Sequence, residues 1–168
     1  MKQTLLAALL LIAGPALAQQ VPAGAAAQPA QAGSISALDT QNGFRTYVLG
    51  APIKDYPQLK RKGEERYENP KEPLVVGDVK LAGLQFTSYK ERLAAITFGT
   101  RGADNIEKLL AMFTGEYGPS TIANEVVQSW VGNKVTLYVT RVGGGSDEVC
   151  IVTFKSNEIA AEQKAAGK

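Results

Sequence analysis

The chain has 168 residues, a formal net charge of +2, one cysteine and no histidine. So small a charge gives no global field to gather nucleic acid or an anionic membrane, and neither is expected as a partner. Without histidine most catalytic triads, Cys-His dyads and nearly every zinc arrangement are excluded, and a lone Cys150 cannot close an intramolecular disulfide.

The first residues have the parts of an export signal in order. Met1-Lys2 is a short positive start, and Leu5 to Ala13 is an apolar run too short to span a bilayer as a mature helix. Gly14-Pro15 breaks it, and Ala16-Leu17-Ala18 is a small-x-small cleavage site. The expectation is cleavage after Ala18 and a periplasmic or secreted product with no membrane insertion. Gln19, not a cysteine, stands directly after the cleavage site, so lipid anchoring is not expected. Gln19 to Ser34 is rich in Ala, Gln, Pro and Gly and uncharged, and it reads as a disordered linker.

Order is expected from Ile35 or Phe44. Phe44 to Leu49 reads as a short strand with Phe44, Thr46 and Val48 on one side. Pro52 opens a short turn of helix, irregular because of Pro57. Lys60 to Lys71 is charged and reads as a loop ending at Asn69-Pro70. Leu74-Val75-Val76, Val79 to Tyr89 and Leu93 to Phe98 then read as a three-stranded meander, turning at Gly77-Asp78 and at Lys90-Glu91-Arg92. The period changes from two to that of a helix at Ile106, Leu109, Leu110, Phe113 and Tyr117. Asp104 and Glu107 have the spacing of a capping box, Gly118 that of a left-handed C-terminal residue, and Pro119 prevents continuation. A second meander follows: Val126 to Val131, a Gly132-Asn133 turn, Val135 to Thr140, a glycine loop, and Glu148 to Phe154. Ser156 or Asn157 can cap a short C-terminal helix. The fold expected is α+β: an antiparallel sheet from two three-stranded meanders flanking one central helix packed on a sheet face. Its single domain covers 35–160, and 161–168 reads as a disordered tail.

Gly43-Phe44-Arg45, Leu49-Gly50-Ala51-Pro52, Leu93-x-x-Ile96-Thr97-Phe98, Tyr117-Gly118-Pro119 and Trp130-Val131-Gly132 form a string of short motifs. It resembles that of small exported bacterial proteins of unknown function. The layout is also similar to beta-lactamase-inhibitor-like domains and to the small lipoprotein of the outer-membrane assembly machine, from which this chain departs by lacking a lipidation cysteine. The resemblance implies a binding or scaffold role with no catalytic residues.

Several residues are candidates for chemistry. Arg45, Lys54, Lys60, Arg61, Lys62 and Arg66 make a locally basic segment, with Tyr56 and Tyr67 among them. It suits an acidic protein partner or envelope component, with salt-sensitive affinity. Asp55, Glu64, Glu65 and Glu68 interrupt it, so a solvated mixed-charge loop is the plainer reading. Trp130 and Tyr138 are candidate platforms for a ligand ring, with Trp130 also a natural core residue. Hydrolysis by paired carboxylates needs one raised pKa, and Glu64, Glu65, Glu68, Glu116 and Glu125 lack the apolar frame for it. Gly143-Gly144-Gly145-Ser146 can form an anion nest but opens no helix, and a flexible hairpin loop is the simpler reading. Cys150, between Val149 and Ile151, reads as a buried small hydrophobe. No cofactor is expected. The function expected is an exported, non-enzymatic domain that binds a protein partner or envelope component. The rivals are a small-ligand or glycan binder and a carboxylate-based glycan hydrolase.

Overall fold

The computed structural model of the protein describes residues 33–144 and 147–167. The expected signal peptide and nearly all of the linker lie outside these residues. The chain opens with helix α1 (Ile35–Gln41), then hairpin β1 (Gly43–Phe44) and β2 (Tyr47–Val48), and a single 3-10 turn at Ile53–Asp55. Short strands β3 (Lys60–Arg61), β4 (Arg66–Glu68), β5 (Val75–Val76) and β6 (Val79–Lys80) lead into the long hairpin β7 (Gly83–Tyr89) and β8 (Arg92–Arg101). Helix α2 (Ala103–Tyr117) follows, then β9 (Ile122–Ala123), β10 (Val127–Val131), β11 (Val135–Val142), β12 (Val149–Ser156) and helix α3 (Asn157–Ala165).

The fold is α+β. One antiparallel sheet of eight strands runs β3-β4-β7-β8-β12-β11-β10-β9, and β5-β6 and β1-β2 form small separate hairpins. The last strand of the chain, β12, therefore lies in the middle of the sheet, joining β8 to β11. Period-two patterning predicted which side chains share a face, and the pairing aligns them. Tyr67, Phe86, Ile96, Phe154, Leu137 and Trp130 fall in one row across six strands. None of the six is more than 6% exposed.

The central helix covers that row. Ile106, Leu109, Leu110, Phe113 and Tyr117 are buried, each contributing about 1.5–3 kcal/mol. Phe113 sits at the centre, its ring 5.8 Å from Trp130, 6.0 Å from Phe154 and 6.0 Å from Tyr117. Phe44 packs on Phe98 and Phe154 from beside it. Leu38 of α1 is fully buried in the same core.

The structure corrects several local expectations. No capping box forms at α2: its N-cap is Gly102 without a side-chain bond, and Asp104 lies inside the first turn, where the helix dipole favours it. At the other end Gly118 has φ 81 but an extended ψ of −170, and its N–H reaches Thr114 O. A Cβ on Gly118 would lie 2.6 Å from Gly33 O, so both its φ and this approach require glycine. The strand expected at 44–49 is a hairpin, because Arg45 adopts φ 56 and turns the chain. Phe44, Tyr47 and Leu49 are consequently buried and Val48 is exposed.

The first meander is also rebuilt. The run 79–89 divides at Leu81-Ala82, β5-β6 peels away, and the neighbour of β7 is β4, from the stretch expected to be a loop. A single apolar residue, Tyr67, ties β4 into the buried row, and one residue makes no period. The second meander has the expected order. Ser156 caps α3 as expected, its Oγ accepting from Ile159 N at 3.3 Å. That helix continues to Ala165, through residues expected to be a tail.

Candidate binding surfaces

The basic residues are dispersed by their backbone positions. Arg45 leaves the group: its left-handed turn aims the guanidinium at Glu72 (2.7 Å), at Pro73 O (2.8 Å) and at Val75 O. Arg61 folds back on the carbonyls of Gly63 and Glu64, and Lys62 faces Glu68 at 3.7 Å. Lys60 and Arg61 are exposed on β3, the edge of the sheet, with exposed Arg66 next to them on β4 and exposed Lys54 on the 3-10 turn. Charge on so short an edge strand also discourages pairing with other chains.

Glu72 anchors a polar knot that the sequence did not disclose. Tyr47 donates its hydroxyl to Glu72 (2.7 Å), and Asn69 donates to both (3.0 and 2.8 Å). Burial raises the Glu72 pKa, but the bonds from Tyr47, Arg45 and Asn69 outweigh it and hold the carboxyl below its ordinary value. Asp39, on α1, behaves similarly. Burial pushes it up, and the amides of Lys134, Asn133 and Val135 pull it down further, at 2.7, 2.7 and 3.2 Å. Its carboxylate thus fills a nest at the β10-β11 turn. The turn closes one residue later than the sequence suggested, with Gly132 N–H donating to Val135 O. Arg141 lowers Glu148, and Arg92 lowers Glu162. Among the described residues each carboxylate whose pKa is displaced is displaced downward, the direction opposite to a general acid.

The two candidate platforms point to opposite sides of the sheet. Trp130 lies in the buried row, fully enclosed, and donates Nε1–H to Gly118 O at 2.7 Å. Tyr138 pairs with Ser129 in the alternate row and is 41% exposed. Cys150 is fully buried, and burial pushes its thiol up to about 11, which suppresses the reactive thiolate. Half of the glycine loop, Gly145 and Ser146, lies outside the described residues. No three His, Cys, Asp or Glu side chains group to hold a metal among the described residues. None of the described helices is long and apolar enough to cross a membrane.

An open cleft of about 370 Å³ lies between Asn42, Leu49, Lys134 and the start of α3. Two of its amide side chains are committed to the frame: Asn157 donates to Gly132 O and Asn133 O and accepts from Thr136, and Asn42 donates to Leu49 O. It is a joint between elements.

The outer face of the sheet is the feature that sequence reasoning missed. Two registered rows face outward: Gln85, Thr97, Thr153, Tyr138, Ser129, and Gly83, Gly99, Ile151, Thr140, Val127. Helix α3 closes one end, where Thr136 donates to Asn157 and Ile159 packs with Tyr89 and Ala94. Beyond it Tyr138, Ile151 (43%) and Ile122 (55%) stand exposed. The signal is the alternation of Ile151 and Thr153 against Val152 and Phe154, and it is masked because Ile151 is as apolar as its buried neighbours. Comparison with protein-family models, curated proteins and solved structures finds no match for this chain.

Proposed function

We propose that this is an exported, non-catalytic domain that binds a protein partner or a component of the cell envelope. The observation that carries this reading is the uncovered outer face of β7, β8, β12, β11 and β10, with Tyr138 and Ile151 exposed at its middle. Exposed aromatic and branched side chains grouped on one sheet face are the features of an interaction site. The downward displacement of the carboxylates favours binding over glycan hydrolysis. The basic edge of Lys54, Lys60, Arg61, Lys62 and Arg66 is a second contact for an acidic partner, and Arg45 contributes only by holding the β5 hairpin.

A photocrosslinking residue placed at Thr140, beside Tyr138, tests the reading in living cells. The expected result is a discrete crosslinked product that persists in high salt. A product from Arg61 is expected to vanish with salt, because exposed charges are screened beyond about 8 Å at physiological ionic strength. No product from Thr140 sinks the assignment of the outer face, and none from either position sinks the binding function.

A further inference from the structure

Helix α3 lies over the end of the outer face where β7 turns into β8, and its two halves are held by different forces. The base is pinned. Asn157 donates its backbone N–H to Lys134 O at 2.9 Å, its side chain bonds Thr136, Gly132 O and Asn133 O, and Ser156 caps the first turn. Beyond the base one side chain is buried, Ile159, which meets Tyr89 and Ala94 in a cluster apart from the main core. The far end is clamped by charge. Arg92 forks to Glu158 at 3.0 Å and to Glu162, and Lys90 faces Glu162 at 3.6 Å. The clamp residue is aimed by a bulge: the pairing of β7 with β8 skips Ala94, so Arg92 shares the outward side with its partner Tyr89 while Leu93 turns into the core.

From this arrangement we infer that α3 is a releasable latch on the outer face, hinged at Asn157 and held shut by the Arg92 clamp, whose opening enlarges the face offered to a partner. The inference rests on the reading of that face as the binding surface. A helix of nine residues does not hold its shape alone in water, so α3 stays wound only while its anchors hold. It has one buried apolar anchor where α2 has five. The clamp is partly solvated, with the Arg92 and Glu162 side chains 28% and 33% exposed and those of Lys90 and Glu158 more so. Each such pair shifts a population by a factor of about 1.5–5, and salt screens it.

What lies beneath the latch is continuous with the exposed part of the face. Tyr89 and Ala94 are each 4% exposed with α3 in place. Ala94 adjoins Ala95, whose outward row runs through Thr87, Lys155 and Thr136, beside the row that carries Tyr138. Opening therefore uncovers a second aromatic ring at the end of the surface where Tyr138 already stands exposed. It also frees the Arg92 guanidinium and the Lys90 ammonium, which suit carboxylates of a partner in the places that Glu158 and Glu162 leave. The bonds of Asn157 to the β10-β11 turn remain, so the helix is lifted without loss of the sheet.

Hydrogen exchange of the purified chain tests the latch. The amides of 161–165 are expected to exchange at least about a hundredfold faster than those of β8 and β12, as local opening requires. Their exchange should rise about threefold between low salt and about 1 M salt, with the strand amides unchanged. Arg92→Gln and Glu162→Gln break the clamp from its two sides. Each is expected to raise the α3 exchange about fivefold, and the double variant by less than the product, because the two share one ion pair. Unchanged exchange in β8 and β12 separates opening from unfolding. Exchange of 161–165 in step with those strands, indifferent to salt and to both variants, overturns the latch. The crosslink from Thr140 in living cells reads the consequence, and its yield is expected to rise about threefold with Arg92→Gln. An unchanged yield overturns the latch and leaves the binding surface standing. No product from either chain removes both.

Discussion

Asp39 shows how much a single side chain can join. Its carboxylate fixes helix α1 to the β10-β11 turn through three amides, and Gly132 leaves room for it, since a Cβ there would lie 2.3 Å from Asp39 Oδ1. Asp39→Ala is expected to cost about 1–2 kcal/mol, the worth of charge-assisted hydrogen bonds at a largely exposed turn, read as a lower denaturant midpoint. Gly132→Ala strikes the same contact, so the double variant should cost less than the two singles added. The pH dependence follows from the sign of the shift. Asp39 and Glu72 have folded pKa values below their ordinary ones. The unfolded chain therefore binds more protons in that window, and their stabilisation is complete above about pH 5 and is lost as pH falls through the folded values. Thermal melting should be level from pH 7 to about 5 and fall below about 4, and Asp39→Asn should flatten part of the fall. None of this was legible in the sequence, because Asp39 and the turn that donates to it are about ninety residues apart and only the folded sheet brings them together. Trp130 and Cys150 were legible as core residues because their strand neighbours set the burial pattern.

At the scale of elements, the long periodic pieces were readable and the short ones were not. Five apolar positions define one face of α2, and β10, β11 and β12 alternate over enough residues to announce themselves. β3, β4 and the β1-β2 hairpin span two or three residues each and depend on one or two buried anchors. Phe113→Ala is expected to cost about 3–5 kcal/mol by emptying the site where α2 meets Trp130 and Phe154. A melting curve like that of the parent would refute this account of the packing. The β7-β8 turn holds a removable strain. Lys90 and Glu91 both adopt positive φ, at 49 and 60, as a twist-matched two-residue hairpin demands. Lys90→Asn with Glu91→Gly should raise stability by about 1 kcal/mol, since the bond from Ile53 N to Glu91 O needs only backbone. Unchanged or lower stability would show that the Lys90–Glu162 pair outweighs the strain.

At the scale of the molecule, the division of labour is between two faces of one sheet. The inner face carries nearly all the large side chains, and the outer face keeps threonines, glycines and a few exposed apolar residues. The α+β class was legible because periods of two and of 3.6 alternate along the chain. The single eight-stranded sheet was not, because pairing between β8 and β12 links segments about fifty residues apart, a distance at which local pattern is silent. That pairing also sets a timetable. Until residues 149–156 exist, β8 has one neighbour and β11 has one, and the two halves of the sheet have no seam. A chain truncated before Val149 is expected to show no cooperative unfolding transition, and the whole chain should fold in milliseconds to seconds, as non-local β pairing does. Synthesis delivers the keystone strand after the strands on both sides of it. A growing chain of this design stays open along its length until residues 149–156 emerge, the state in which a polypeptide can still be threaded through a narrow channel.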